Sequence, residues 1–354
     1  MMKKKLLLVT FPVDFGSKTF EKRYIDFFEN YVDLKVYRFV PDQFVPTQKY
    51  PNSFLRFFST VGKRSLASIE LQKQVREANR EGRSILFQGV SPALFAYPAT
   101  ERNSSCIVTD WTRKLYEAID GKTMSPSWLT FIHKQVLNSQ KYVIGLTDAV
   151  LEEIVRDYDV PQNKLRKGRL PFSVDLDLFT PSPNRNEGIV KILFVGGDFQ
   201  RKGGDVLLNW FANQHEPHLQ MTMVTGHHPG NFKNVTVQTN VQYGGTQHIE
   251  LFKGHDIFVL PTKCDAYPSV IGEAACAGLS VLTTKNALGA SEVIQNAVNG
   301  YICNSQEELL DQLSLLVQNK TLIESMKQSS RQIMEKNFAM NLVLDDFMSC
   351  IFED

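Results

Sequence analysis

The sequence predicts two α/β domains, each built on a parallel β-sheet, and three observations support this fold class. With 354 residues, the chain is longer than one hydrophobic core usually supports. Short apolar runs alternate with helical patterns in both halves, which is typical of parallel sheets covered by helices. Between the halves, Leu170 to Gly188 contains three prolines and two asparagines that interrupt any periodic pattern. We therefore predict a first domain at residues 1–172, a linker at 173–188 and a second domain at 189–337.

The first half contains five apolar runs that we predict to be strands. They lie at Lys5–Thr10, Leu34–Phe39, Ser84–Gln88, Ser105–Thr109 and Lys141–Leu146. Between these runs, apolar residues recur with helical spacing. We expect helices around Phe20–Phe28, from about Leu66 to Arg80, and over Ala149–Tyr158, with a loop-like stretch from Pro41 to Phe54.

The same alternation starts again after the linker. We predict strands at Val190–Val195, Leu219–Val224, Val235–Gln238 and Asp256–Leu260, and helices at Asp205–Ala212, Thr246–Lys253 and Asn341–Phe352. Right-handed crossovers place the connecting loops of each sheet at the carboxyl ends of its strands. Two such domains facing each other form a cleft, which is a natural binding site.

Charge and cysteine content narrow the class of protein. Residues 1–180 carry 27 Lys and Arg against 20 Asp and Glu, whereas the rest of the chain carries 12 against 18. The basic half fits either an anionic partner or a solvated surface without one. Five cysteines without a Cys-x-x-Cys spacing indicate reduced thiols in the cytoplasm. No apolar run approaches the roughly 20 residues that span a bilayer.

A loop with two cations follows the first predicted strand of the second domain. Gly196-Gly197 is followed by Arg201-Lys202 and then by Gly203-Gly204. Glycines let the backbone approach a ligand, Arg can hold a phosphate through two hydrogen bonds, and Lys adds a point charge. The loop matches neither the Walker A pattern nor the dinucleotide-binding glycine fingerprint. Taken alone, it fits either phosphate binding or an ordinary turn with solvent-facing cations.

The stretch from Asp265 to Thr284 combines two acids with a predicted helix start. Asp265 and Glu273 have seven residues between them, among them the loop Tyr267-Pro268-Ser269-Val270. The first N–H groups of a helix attract anions, and a carboxylate accepts hydrogen bonds from sugar hydroxyls. In a doubly wound sheet, this stretch and the Arg201-Lys202 loop lie on one rim. Together they predict a site for a ligand with phosphate and hydroxyl groups, such as a nucleotide-sugar.

These residues also carry a family resemblance. The second half resembles the donor domain of GT-B glycosyltransferases of the large retaining family four, and the resemblance covers about residues 140–305. Its motifs are Phe194–Gly197 with Lys202-Gly203, Phe258–Thr262, Asp265 with Glu273–Gly278, Gly289–Ile294 and Asn299–Tyr301, preceded by Asp157–Pro161 and Phe172–Asp175. The resemblance implies two Rossmann-like parallel-sheet domains facing an interdomain cleft, with residues 338–354 packing back as a helix on the first domain.

The resemblance further implies roles for single residues. Glu273 would hold the ribose hydroxyls, Tyr243-Gly244 would line the base, and Asp265 would lie near the donor-sugar hydroxyls. The Tyr267-Pro268-Ser269-Val270 loop would meet sugar and diphosphate, whose charge Arg201 and Lys202 would neutralise. The implied reaction transfers a hexose from a nucleotide-diphosphate sugar to a glycan or lipid-linked glycan, with retention of configuration. It implies no metal and no cofactor, the nucleotide-sugar being a co-substrate.

The sequence departs from the family pattern at three positions. The first acid is Asp265 instead of the usual Glu, so its reach is one methylene shorter. Gly197 stands where the family carries an Arg, and Arg201 is the residue that can substitute for it. The acceptor-domain position that is often His lies here within Thr109-Asp110-Trp111. Asp110 fits either a partner for the acceptor hydroxyl or a structural cap.

Several alternatives stay open. A nucleotide-sugar epimerase would need an acid–base set that the sequence does not show, and the cations and Glu273 count against a binding protein without transfer activity. The run from Phe54 to Arg64 fits contact with an anionic membrane at its inner face, or a buried or acceptor-groove segment. Gly16, at the end of the predicted glycine loop Asp14-Phe15-Gly16, is the candidate donor-side glycine of the first domain. We expect no nucleic-acid partner.

Overall fold

The computed structural model describes residues 3–12, 15–40, 53–100, 104–121, 127–168, 176–182, 188–214 and 216–352. The chain divides into two compact units. The first comprises Met1–Gly168 together with Asp346–Asp354, and the second comprises Arg169–Asp345. The domain and linker limits drawn from the sequence at 172, 188 and 337 stay predictions.

The first unit contains a six-stranded parallel sheet. Its elements in chain order are β1 (Lys5–Thr10), α1 (Phe15–Phe28), β2 (Asp33–Arg38), α2 (Ser53–Arg80), β3 (Ser84–Gln88), α3 (Val90–Ala96), β4 (Ser105–Thr109), α4 (Arg113–Asp120), α5 (Ser127–Ser139), β5 (Tyr142–Gly145), α6 (Asp148–Tyr158) and β6 (Leu165–Lys167). The strand order is β2-β1-β3-β4-β5-β6. The inner strands are buried almost throughout, which explains why they are continuous apolar runs.

The second unit contains another six-stranded parallel sheet. Its elements are β7 (Val190–Gly196), α7 (Gly204–Ala212), β8 (Leu219–Thr225), β9 (Val235–Gln238), α8 (Thr246–Lys253), β10 (Ile257–Leu260), α9 (Ser269–Cys276), β11 (Ser280–Thr284), β12 (Gly300–Cys303), α10 (Gln306–Val317) and α11 (Lys320–Asn337), followed by α12 (Met340–Phe352). The strand order is β12-β11-β10-β7-β8-β9. The prediction of two parallel-sheet α/β domains is therefore confirmed.

The longest helix starts earlier than the sequence pattern predicts. We expected a helix from about Leu66, whereas α2 begins at Ser53. In the sequence, Phe54, Phe57 and Phe58 recur at the i, i+3, i+4 spacing of a helix, a signal that the prediction did not use. The side chains of residues 53–64 lie outside the described part of the structure, and the predicted membrane contact by Phe54 to Arg64 stays a prediction.

Helix α12 contributes its last part to the first unit. The Phe347 ring centroid lies 6.1 Å from that of Tyr24 and 6.0 Å from those of Phe27 and Phe28, on α1. All five cysteines are free and buried. Within the described ranges, the structure contains no helix long and apolar enough to cross a membrane.

Candidate functional site

In the sheet of the second unit, the order in which the strands are added reverses between the neighbours β7 and β10. Strands β8 and β9 follow β7 on one side, and β11 and β12 follow β10 on the other. In open α/β sheets, ligands bind at such a switch point, beyond the carboxyl ends of the strands. The loop after β7 carries Arg201 and Lys202, and the loop after β10 carries Asp265. The topology therefore brings both predicted motifs to the expected position.

Hydrogen bonds from the main chain and from one side chain hold these two loops together. The Lys263 N–H donates to the Arg201 carbonyl over 2.9 Å, and Arg201 Nη1 donates to the Cys264 carbonyl over 2.8 Å. Gly203 adopts a left-handed conformation with φ 78°, and a Cβ atom there would lie 2.0 Å from the Pro261 carbonyl oxygen. Only glycine allows this approach. Gly203 thus allows one loop to pack directly against the other.

Lys202 and Asp265 form an ion pair across the two loops. Lys202 Nζ donates to Asp265 Oδ2, and the two side chains are 15% and 12% exposed. Burial and, secondarily, the neighbouring Arg201 charge lower the pKa of Lys202 to about 7. Contact with the Asp265 carboxylate acts in the opposite direction and favours the ammonium form. An anionic ligand at this rim would stabilise that form further.

Arg201 lies at the more open side of the same loop. Its Nε atom is 3.1 Å from Asp198 Oδ2, and its side chain is 41% exposed. A Cβ atom on Gly197 would meet no atom within 4 Å, so this position is open. Gly197 therefore leaves room at this position, where a longer side chain such as arginine could extend.

The loop that carries Asp265 leads into α9. The Asp265 N–H donates to the Asn286 carbonyl and the Leu288 N–H donates to the Asp265 carbonyl, each over 2.9 Å. Tyr267 is buried, Pro268 occupies the N-cap position, and Ser269 begins the helix with Val270 next. The N-cap provides no side-chain hydrogen bond. The first turn of α9 can therefore offer N–H groups to a ligand anion.

Glu273 lies on α9 and is fully buried. Its Oε2 atom is 3.4 Å from Nε2 of His248, a buried histidine on α8. The Tyr243 ring contacts His248 edge-on, with 5.2 Å between the ring centroids. Gly244, next to Tyr243, is left-handed with φ 75°. The structure thus connects two residues predicted to bind the nucleotide through a histidine that the sequence analysis missed. The signal in the sequence is the spacing, which places His248 on the same helix face as Leu251 and Phe252, where an apolar residue is expected.

Two predicted site residues lie in the first unit. Asp110 directly follows β4 and is half-buried. Burial and, secondarily, the Asp110 charge raise the pKa of Tyr24 well above its ordinary value. Gly16 lies in the first turn of α1, and the predicted glycine loop is helical at that point. Asp14, the other end of that loop, is outside the described residues.

A buried carboxyl group supports the chain next to Asp110. Thr112 caps α4, and its hydroxyl donates to Glu153 Oε2 on α6. Glu153 is 1% exposed, and its other oxygen, Oε1, has no hydrogen-bond partner among the residues that the structure describes. Burial raises the pKa of Glu153 to about 7. This contact fixes the turn that joins β4 to α4.

The fold is that of GT-B glycosyltransferases. Residues 177–333, a little under half of the chain, match the model of the family described as glycosyl transferases group 1. The match includes the cationic loop, the two acids and His248, and it confirms the resemblance noted from the sequence.

Solved structures of low sequence identity share the fold. Sucrose-phosphate synthase from Thermosynechococcus elongatus is similar with a TM-score of 0.71 and 13% identity, over 98% of this chain and 97% of that one. HepE from Anabaena, in complex with UDP and glucose, is similar with a TM-score of 0.72 and 13% identity, over 99% of this chain and 100% of that one.

By sequence, an uncharacterized glycosyltransferase from Haemophilus influenzae is 25% identical over 167 residues, which are 44% of this chain and 47% of that relative. The chain thus matches about half the length of this curated relative.

Proposed function

We propose that this protein is a retaining glycosyltransferase that transfers a hexose from a nucleotide-diphosphate sugar to a hydroxyl of a glycan or lipid-linked glycan. One observation carries the proposal: the Arg201-Lys202 loop meets the Asp265 loop at the switch point of the second sheet. This junction lies inside the segment that matches the family model. The Anabaena neighbour, whose complex holds UDP and glucose, supports a donor of this kind.

The cations of the site would stabilise the diphosphate as it leaves the sugar. Lys202 and Arg201 supply positive charge, and the first turn of α9 supplies N–H groups through Ser269 and Val270. Fixed donors and charges in a partly buried site act without reorganisation when negative charge develops. The loops that carry them are held to each other by hydrogen bonds, which supports such preorganisation. In this proposal, these groups stabilise the leaving group without a metal ion.

The remaining site residues would recognise the nucleoside, the sugar and the acceptor. Glu273 would accept hydrogen bonds from the ribose hydroxyls, and Tyr243 would line the base. Since Asp265 Oδ2 contacts Lys202, its Oδ1 atom would accept from a sugar hydroxyl. Asp110 would contact the acceptor hydroxyl. The five buried free thiols support a cytoplasmic reaction, with a lipid-linked acceptor reached at the inner face of the membrane.

The first experiment measures thermal stabilisation by a panel of UDP- and GDP-sugars. A donor that binds only the folded protein should raise the melting temperature, by an amount that grows with its concentration. The donor that does so is then incubated with the protein, and slow hydrolysis or transfer is followed by mass spectrometry. No stabilisation by any member of the panel would refute the donor site. Stabilisation without hydrolysis or transfer would favour a binding protein.

A substitution tests the ribose assignment directly. Glu273→Gln keeps the size of the buried side chain but removes its charge, and we expect at least about tenfold weaker binding of the stabilising nucleotide-sugar. Glu250→Gln on α8 is the control, because Glu250 is 62% exposed. Calorimetric titration of both variants measures the affinities. Equal affinities of Glu273→Gln and the wild type would contradict the assignment.

A further inference from the structure

His248 occupies a position where an apolar residue would be expected. It lies on the buried face of α8 with Leu251 and Phe252. Its ring is surrounded by three others, with centroid distances of 6.1 Å to Phe179, 5.2 Å to Tyr243 and 5.2 Å to Phe252. Burying a polar ring costs free energy unless its nitrogen atoms are used. Packing alone therefore does not explain a histidine here.

The surrounding rings restrict how the imidazole can turn. All three neighbours meet it edge-on, with interplanar angles between 60° and 86°. With the ring held in this way, Nε2 lies 3.4 Å from Glu273 Oε2, and the two side chains are 5% and 0% exposed. A buried carboxylate is sensitive to such a neighbour, because water does not compete for it. His248 is thus placed to select the orientation of the Glu273 carboxylate.

His248 also contacts the residue predicted to line the base. The Tyr243 ring rests against the imidazole, so one side chain contacts both the base-side and the ribose-side candidates. The link to Tyr243 is local, since α8 begins shortly after the Tyr243-Gly244 turn, whereas Glu273 reaches His248 from α9.

We propose that His248 is a positioning residue that orients Glu273 and Tyr243 for a nucleoside diphosphate. It thereby makes the site bind nucleotides that carry the ribose hydroxyls more tightly than nucleotides that lack them. The inference rests on the proposed function, since it requires that a nucleotide binds at this site. It predicts that His248 influences affinity through Glu273 and not through the stability of the fold.

The test compares two variants of similar size. His248→Gln can present a side-chain N–H donor near the position of Nε2, whereas His248→Leu fills the space without a donor. Affinities are measured by calorimetric titration for UDP and GDP and for their 2′,3′-dideoxy analogues, and the melting temperature of each unliganded variant is recorded. We expect His248→Leu to weaken binding of the ribonucleotide about tenfold, to change binding of the dideoxy analogue less than about twofold, and His248→Gln to restore most of the loss.

A double substitution tests whether His248 acts through Glu273. In a background of Glu273→Gln, His248→Leu should cause little further loss of ribonucleotide affinity, because the group that it orients has already been changed. Additive losses would overturn the proposal, and so would equal weakening of ribonucleotide and dideoxy analogue in His248→Leu. A wild-type protein that binds neither UDP nor GDP would refute the proposed donor site itself, which is a different result from a variant that leaves affinity unchanged.

Discussion

The two units have the same sheet architecture, but the charged side chains next to their strand ends lie in different surroundings. In the second unit, Lys202 and Asp265 pair at a rim where both side chains keep some exposure to solvent. In the first unit, Glu153 is almost completely buried and contacts Thr112, beside the turn after β4. The first arrangement is an ion pair at the rim of the sheet, whereas the second uses a carboxyl group to hold the chain itself. If the proposed donor site is right, a similar fold supports recognition in one unit and a turn in the other.

The largest effect is expected from a substitution that breaks the junction of the two loops in the second unit. Gly203→Ala would place a Cβ atom 2.0 Å from the Pro261 carbonyl oxygen, in a left-handed conformation that alanine rarely adopts. We expect the free energy of unfolding to fall by about 3 kcal/mol. Urea denaturation measures the loss. Gly197→Ala is the control, because nothing lies within 4 Å of its added Cβ, and its cost should stay under about 1 kcal/mol. Equal losses in both variants would contradict the proposed fit between the loops.

A second prediction tests the buried carboxyl group of the first unit. The folded-state pKa of Glu153 is raised from 4.5 to about 7 by burial, so the native state keeps a proton that the unfolded state loses. This contribution to stability is complete below about pH 4.5 and is lost as the pH rises through 7. Glu153→Gln removes this dependence, and its stability relative to wild type should improve by about 2 kcal/mol between pH 5 and pH 8.

Urea denaturation across this pH range measures that difference. Glu152→Gln on the exposed side of α6 is the control and should show no such trend. If the gap between Glu153→Gln and the wild type stayed constant with pH, the carboxyl group would be ionised throughout, and the contrast between the two units would fail.

The smallest effect is expected from a comparison of two lysines, Lys202 and Lys263, on the two loops that meet in the second unit. It sharpens the contrast between the units. Lys202→Met removes the cation that contacts Asp265, and the affinity for the stabilising nucleotide-sugar should fall about tenfold. Lys263 is half exposed and lies 3.6 Å from Asp205, so Lys263→Met should change that affinity less than about twofold. Calorimetric titration compares the two. Similar losses would mean that general positive charge at the rim, and not the Lys202–Asp265 pair, attracts the ligand.

Much of the fold could be predicted because it depends on local patterns. The parallel strands are continuous apolar runs, and their alternation with helices is visible in the sequence. The meeting of Lys202 with Asp265 could also be anticipated, since parallel topology brings successive loops to one rim. Predictions that follow from topology need no knowledge of side-chain packing.

What the sequence could not reveal depends on contacts between distant side chains. His248 lies in an ordinary helical pattern, and only the packing of α8 brings it next to Glu273. Thr112 and Glu153 are 41 residues apart, and no motif connects them. The start of α2 at Ser53 was missed although Phe54, Phe57 and Phe58 recur at helical spacing, because the loop-like stretch was extended as far as Phe54. Glycine at position 16 indicated a loop, whereas it stands in the first turn of α1.

The contact of Phe347 with α1 has a consequence for how the protein is made. Domains generally fold as units while the chain emerges from the ribosome, the N-terminal one first. Here, Tyr24, Phe27 and Phe28 receive their partner only when residues 346–352 have been synthesised. The aromatic residues of α1 therefore lack the contact with Phe347 until the second unit has been translated. The first unit begins the chain and is the last to be completed.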